Sequence, residues 1–366
     1  MKLFLVGGFL GSGKTTAIHQ AVNYLNLLGK KAAVITNDQG TQLVDTQYTR
    51  FHNIPVEEVS GGCFCCNLSD LDNNIHSLLQ RQQPHAIFAE SVGSCTDLIA
   101  TVANPLIKAY GSNLDITLSV FADIQVLLQR LQGNKNFFQG NVNYIYEKQL
   151  EEAEILVINK IDLLNKEQAG GARKLIEHKY GQKKILYQNS LELESISNWV
   201  AAVFERNQNP GLRPSIQLDY DKYAAGEAEM AWFDEEIGIL TNDKNAIGTG
   251  ILFINSIYAK IRELGYPIGH LKFLLNDGKT QQKISYTSDM QPLIRQKNKG
   301  LKTDRVVILI NARVQTGPAI LSKIISNAID ELESATGCKL IGGKLSSFKP
   351  GYPKPSQRIP KFSSID

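Results

Sequence analysis

The chain has 366 residues, 43% hydrophobic and 20% charged, which excludes whole-chain disorder, collagen-like sequence and low complexity and leaves material for two or three domains. The net charge is +3. Residues 344–366 carry +4 of it, so the body stands at −1, and no broad basic surface for a nucleic acid is expected.

The chain begins MKLFLVGGFLGSGKTT. Its apolar run is too short for a secretory signal and leads into a motif that the mature protein needs. No later stretch has eighteen consecutive apolar residues, so no transmembrane helix and no membrane partner are expected, and the cytoplasm is the default location. Apolar runs follow at 3–6, 31–36, 86–89, 116–122 and 155–158. Each is short and mostly apolar throughout, as strands buried on both faces of a parallel sheet are. A helical pattern over 14–28, and others between the later runs, provide crossovers. A doubly wound, mostly parallel α/β domain is predicted over residues 1–206.

Two prolines, a glycine and three amides mark a boundary at 207–214, and 207–226 reads as a linker. A smaller α+β domain is predicted over 227–345. Its strands lie within 227–240 and at 268–275, 283–286, 305–310 and 339–341, and its helices at 247–264 and 319–332. Asn276-Asp277-Gly278 is a hairpin signal. The order approximates a ferredoxin-like βαββαβ sandwich. From Ser346 onward, four prolines and scattered lysines predict an extended, basic, mobile tail over 346–366 that hydrolysis does not need.

The first chemical motif is Gly8-Phe9-Leu10-Gly11-Ser12-Gly13-Lys14-Thr15, which fits G-x-x-x-x-G-K-[ST] between a strand and a helix. Glycines let backbone N–H groups converge on phosphate oxygens, and the helix N-terminus adds its dipole. Lys14 is the candidate for the β- and γ-phosphates and for catalysis. The Thr15 hydroxyl is the candidate Mg²⁺ ligand. Gly8, Gly11, Ser12, Gly13, Lys14, Thr15 and Thr16 form the candidate cradle. The plain alternative is a glycine-rich turn joining strand to helix.

The run at 155–158 leads into Asn159-Lys160-Ile161-Asp162. A carboxylate in an N-K-x-D element accepts from guanine N1 and N2 hydrogens, which adenine lacks, so Asn159, Lys160 and Asp162 are candidates for GTP selection. The alternative is a strand-to-helix turn capped by Asp162. Asp38, Glu90 and Asp123 also follow apolar runs, at the carboxyl edge where ligands of such sheets lie. Asp38 and Glu90 are candidates for binding Mg²⁺ or positioning the attacking water; for Asp123 a helix cap is the competing role.

Of five cysteines, three crowd into Gly61-Gly62-Cys63-Phe64-Cys65-Cys66. Cys63, Cys65 and Cys66 offer three thiolates to Zn²⁺, Co²⁺ or a similar cation, with a fourth ligand still to be supplied. A strained disulfide or plain buried thiols are the alternatives. Cys95 and Cys338 stand alone in the sequence and read as structural. No histidine lies within nine residues of the cluster.

Taken together, GGFLGSGKTT, the Asn37-Asp38 pair, Glu58 five residues before Cys63, GGCFCC, ESVG at 90–93 and QLEEAEILVINKIDLL resemble the CobW/HypB/UreG family of P-loop GTPases, closest to its CobW-like branch with the C-x-C-C motif. The resemblance covers roughly residues 1 to 205. It implies that Lys14 and Thr15 bind phosphate and Mg²⁺, that Asn159, Lys160 and Asp162 bind guanine, and that the three cysteines bind metal. It favours Asp38 and Glu90 as Mg²⁺ or water-positioning groups. It also implies a metallochaperone or metal-insertion GTPase serving a client metalloprotein or cofactor-synthesis enzyme, with a homodimer as one form. Departures are Asn37-Asp38-Gln39-Gly40 and Glu90-Ser91-Val92-Gly93, where such proteins commonly have Asn-Glu-Phe-Gly and Glu-Thr-Thr-Gly. No His-rich stretch is present, so metal storage is not expected. Two rival roles share these residues. One is a GTPase that activates or remodels a metal- or corrinoid-dependent enzyme through a structural cysteine cluster. The other is a non-hydrolysing binding module.

Overall fold

The computed structural model describes residues 1–40, 43–133, 138–205, 211–287 and 302–361. It divides into two units: Met1–Gln39, His52–Gly226 and Tyr352–Asp366 form the first, Gly40–Phe51 and Glu227–Gly351 the second. The first unit contains strands β1 (Lys2–Gly8), β2 (Ala32–Asp38), β3 (Val56–Ser60), β4 (Ala86–Glu90), β5 (Asp115–Asp123), β6 (Ile155–Asn159) and β7 (Lys184–Gln188). They form one parallel sheet in the order β3-β2-β4-β1-β5-β6-β7. Helix α1 (Lys14–Leu27) is followed by α2 (Val44–Phe51), which belongs to the second unit, then by α3 (Leu68–Gln82), α4 (Asn104–Tyr110), α5 (Ile124–Leu131), α6 (Asn141–Glu152), α7 (Lys166–Tyr180), α8 (Leu193–Phe204) and α9 (Tyr220–Ala228).

The apolar runs became strands because burial on both faces rewards continuous hydrophobicity. Helix α1 buries Ala17, Ile18, Ala21, Val22 and Leu25, the i, i+3/i+4 spacing of a single helical face. This face joins Phe4, Val6, Phe88, Phe121 and Trp199 in one core cluster. Trp199 meets Phe121 edge-on at 5.0 Å, and its indole N–H donates to Ser119 Oγ at 3.1 Å. Two strands, β3 and β7, were not anticipated. They are the sheet's edges, and their sequences VEEVS and KILYQ carry the polar residues that an edge tolerates.

The second unit has β8 (Ala231–Leu240), α10 (Ala246–Glu263), β9 (Ile268–Asn276), β10 (Gln281–Tyr286), β11 (Arg305–Val314), α11 (Pro318–Thr336) and β12 (Lys339–Phe348). Its sheet is antiparallel in the order β10-β9-β11-β8-β12. Without β10 this is the ferredoxin-like order, and β10 is an added edge closed by the Asn276-Asp277-Gly278 hairpin. Helix α2 packs on this sheet through Val44 and Tyr48 against Leu274 and Leu309. The Val44 N–H donates to Asn311 Oδ1 at 2.8 Å. Burial alone would raise the Asp45 carboxyl, but Lys272 and Lys283 hold it well below its usual range.

The C-terminal segment departs from expectation. Strand β12 continues through Phe348, past the point where a tail was read. Beyond Tyr352 the chain is tied to the first unit: Ser356 N donates to Cys65 O at 2.8 Å, Ile359 N to Ala100 O at 2.8 Å, and Asn104 Nδ2 to Ile359 O at 2.9 Å. Arg358 pairs with Asp97 at 2.7 Å. Through Lys361 this is a fastened strap, held by backbone and polar bonds that leave no apolar signature; residues 362–366 lie outside the described residues. Of the stretch read as linker, residues 211–226 fall within the first unit, with α9 starting at Tyr220.

Close to this strap lies Glu152, accepting from Thr96 Oγ1 at 3.1 Å. Burial, followed by the charge of Asp97, pushes its carboxyl from 4.5 up to about 8. The folded chain therefore keeps a proton that the unfolded chain loses. Stability linked to this group is full below pH 4.5 and is lost as pH rises toward about 8. Glu152→Gln is expected to flatten that slope, read by thermal melts across this window. A variant that loses as much stability with rising pH as the parent would contradict the assignment.

Candidate nucleotide and metal site

Strand β1 runs directly into the phosphate loop, and two glycines make this possible. Gly8 has φ +123°, and a Cβ there would lie 2.2 Å from the Phe121 carbonyl oxygen. Gly13 has φ +91°, with the Asn159 amide 2.3 Å from any added Cβ. Gly11 is also left-handed. The N-terminus of α1 has no side-chain cap and no acid in its first turn, so its amides suit an anion. Lys14 is buried and donates to Gly8 O at 2.7 Å and Phe9 O at 3.2 Å. Ser12 Oγ is a buried hydroxyl with no hydrogen-bond partner among the described residues. Thr16 is half-buried one residue further along α1. An uncapped helix start, a buried ammonium and an unused hydroxyl fit a phosphate group.

The carboxyl edge of the sheet gathers the remaining candidates. Glu90 ends β4 beside Val6 of β1, and its Oε1 accepts from Thr15 Oγ1 at 2.9 Å. A hydroxyl and a carboxylate side by side are hard oxygen donors of the kind that suit Mg²⁺. Asp38 ends β2 opposite Ser60 of β3. Asp123 ends β5 opposite Asn159. Its Oδ1 caps α5 by accepting from Gln125 N at 2.9 Å, while its Oδ2 pairs with Lys160 at 2.6 Å. The capping role, one of the two open to it, is the one it takes, and it orients Lys160. Asn159 donates to Ser12 O at 2.8 Å and accepts from Ser190 N and Oγ at 3.2 and 2.7 Å. It thus ties the phosphate loop to the residues after β7. Ser190 had no signal in the sequence because β7 itself went unread. Asp162 is exposed in the short turn Ile161–Leu163.

Strand β3 delivers the cysteines to the same edge. It pairs with β2 through Asn37–Val59 and Asp38–Ser60, and Gly61, at φ +74°, turns the chain. The thiols converge: Cys63 Sγ lies 2.6 Å from Cys65 Sγ and 3.3 Å from Cys66 Sγ, and Cys65 lies 3.7 Å from Cys66. A tetrahedral zinc with bonds of about 2.3 Å sets sulfur–sulfur edges near about 3.8 Å. One edge already fits, and the others need modest opening. Hydrogen bonding among the three thiols pulls the Cys63 thiol well below its usual range and pushes Cys65 and Cys66 up. Both Cys63 and Cys65 are buried.

Asn37 connects this loop to β2. Its amide donates to Val59 O at 2.9 Å and Gly62 O at 2.7 Å, and its Oδ1 accepts from Phe64 N at 2.9 Å. A single side chain next to Asp38 therefore holds the loop that carries the cysteines. Cys95, read as a structural thiol, is fully buried and is not one of the converging sulfurs.

No helix among the described residues is long and apolar enough to cross a membrane. Three relatives share part of the chain. The zinc chaperone YeiR of Escherichia coli is 30% identical over 195 residues, covering 49% of this chain and 55% of that protein. The zinc chaperone YjiA of the same organism is 29% identical over 176 residues, covering 47% and 52%. The zinc-regulated GTPase metalloprotein activator 1 of Schizosaccharomyces pombe is 27% identical over 242 residues, covering 59% and 56%. The chain spans about half the length of these curated relatives. The model of the CobW/HypB/UreG nucleotide-binding domain matches residues 2–186, the segment holding the phosphate loop, the four acidic or amide strand ends and the cysteine loop. On this match across half its length, the chain belongs to the CobW/HypB/UreG family.

Proposed function

We propose that this chain is a cytoplasmic GTP-hydrolysing metallochaperone or metal-insertion protein that binds Zn²⁺, or Co²⁺, through Cys63, Cys65 and Cys66 and passes it to a client metalloprotein or cofactor-synthesis enzyme. The observation that carries the reading is the Asn37 bridge, since it joins the strand end bearing Asp38 to the metal loop. Residues 1–206 act as the GTPase domain. The cradle is Gly8, Gly11, Ser12, Gly13, Lys14, Thr15 and Thr16, and Asn159, Lys160 and Asp162 select guanine. Thr15, with Glu90 or Asp38, would hold Mg²⁺, which would supply positive charge to offset that of the phosphates. Lys14 neutralises charge on the phosphates as the γ-phosphoryl group leaves. Asp38 or Glu90 orients the in-line water. The names of the relatives, zinc chaperones and a zinc-regulated GTPase activator, agree with this assignment. Burial of two of the three thiols favours a second reading, in which the cluster is structural and hydrolysis remodels a client.

GTP and metal that select the same ordered loop raise each other's affinity by one common factor, typically about 5- to 150-fold. Metal titrations with GDP, with a non-hydrolysable GTP analogue and without nucleotide test this. Superimposed curves would leave only the second reading. Base selection is checked separately. Asp162→Asn is expected to weaken GTP binding and improve that of xanthosine triphosphate, because the donor–acceptor match at the base is inverted. Equal affinity of the parent for ATP and GTP would remove the guanine assignment.

A further inference from the structure

We infer that residues 352–361 are a displaceable cover on the cysteine loop, latched at Asp97, and that its opening sets how fast the thiols exchange a metal ion. The exchange step rests on the metal reading of the three cysteines; the cover does not. A single residue joins the segment to the loop by two bonds. Ser356 N donates to Cys65 O at 2.8 Å, and Ser356 Oγ donates to Cys66 O at 2.5 Å. Both acceptors are main-chain carbonyls, so these bonds do not engage the sulfurs. Two residues on, Arg358 Nε donates to Asp97 Oδ2 at 2.7 Å, and the Tyr220 hydroxyl donates to the same oxygen at 2.8 Å. Beyond the latch, Ile359 N donates to Ala100 O at 2.8 Å, Asn104 Nδ2 to Ile359 O at 2.9 Å and Ser215 N to Lys361 O at 2.7 Å.

A segment fastened this way has little core of its own. Of residues 352–361 only Pro353 is buried, while Lys354, Ser356, Gln357, Pro360 and Lys361 are exposed. No helix or strand runs between Phe348 and Lys361. Segments with little apolar burial open locally far more readily than the core beneath them. The latch is the strong tie, because a charge-assisted bond to a buried carboxylate outweighs neutral ones: the Asp97 side chain is 1% exposed and that of Arg358 30%. It lies two residues past the contact with the cysteine loop, so its loss frees the chain where it crosses Cys65 and Cys66. Underneath, Cys63 and Cys65 are buried and Cys66 is half-buried. Passing an ion from one set of thiolates to another needs an open position for the incoming ligand. The segment bonded to the loop with the least burial is the one that moves to provide it.

Maleimide labelling of the metal-free full chain, assigned residue by residue by peptide mass spectrometry, reads the cover directly. Arg358→Ala is expected to speed labelling of Cys66 about tenfold, the scale of one lost bond to a charged group. Ser356→Pro removes the N–H that Cys65 O accepts while leaving Asp97 its arginine, and is expected to speed labelling as well. Cys338 serves as the internal control and labels at the parent rate. Amide hydrogen exchange in both variants is expected to rise over 352–361 and to stay at the parent level over β1 and α1. Loaded with zinc, both variants are expected to yield the ion to a chelator faster than the parent. If Cys66 labels at the parent rate in both variants, or if its labelling rises only together with exchange in β1 and α1, the segment is not a cover and the inference falls. If labelling speeds up but the chain binds no zinc, the cover stands, while the metal reading and the exchange step fall.

Discussion

Lys14→Ala is expected to abolish nucleotide turnover, with a loss of at least about 10²-fold, the effect of removing one preorganised transition-state donor. The side chain is held before any ligand arrives: its ammonium sits between the Gly8 and Phe9 carbonyls, inside the turn that Gly8 and Gly13 allow. Those carbonyls are weak neutral partners, and phosphate oxygens carrying full charge compete for the ammonium with stronger, charge-assisted bonds. Alanine removes the only lysine of the loop and leaves the amides to bear the developing charge alone. Phosphate release under saturating GTP measures the effect, with circular dichroism to establish that the variant folds. Hydrolysis at the parent rate would show that this loop is not the catalytic phosphate site.

The second large effect is on stability. Arg313→Ala is expected to destabilise the second unit by about 3–5 kcal/mol, the range for breaking a buried ion pair from one side. Arg313 is fully buried and Asp234 nearly so, and their side chains meet at 2.7 Å. The guanidinium also donates to the Phe233 and Ala312 carbonyls at 3.3 and 3.0 Å and lies over the Trp232 ring at 4.0 Å. Asn311 supports the carboxylate with a bond of 2.8 Å. Alanine leaves that carboxylate charged, dry and short of its main partner. The double variant Arg313→Met, Asp234→Leu removes both charges and is expected to recover most of the loss. Denaturant unfolding followed by Trp232 fluorescence distinguishes the cases. A single-variant loss below about 1 kcal/mol would mean that water or neighbouring groups already compensate the pair.

Much of this molecule is local and therefore legible. The apolar runs that became β1, β2, β4, β5 and β6 carry their burial in their composition. The phosphate loop carries its chemistry in spacing, because backbone amides converge only where glycine permits the turn. The hairpin at Asn276-Asp277-Gly278 and the helices α10 and α11 are likewise short-range decisions of turn chemistry and periodicity. The cysteines at 63, 65 and 66 needed no tertiary information to be read as a candidate ligand set.

What the tertiary structure alone decided concerns partners far apart in the chain. Helix α2 sits between two strands of the first sheet in sequence, yet it belongs to the second unit, because Asp45 finds Lys272 and Lys283 and Val44 finds Asn311. Periodicity reports which face of a helix is apolar, not which sheet will cover it. Residues 352–361 became a strap over Cys65 and Ala100, through bonds that leave no local pattern. Edge strands β3 and β7 escaped notice for a related reason: half-exposed strands lose the apolar run that marks a central one. By itself the sequence determined the chemistry of each site, since residue type and spacing set which atoms can donate. Only the fold determined which sites are wired together, since that depends on contacts between residues separated by tens to hundreds of positions.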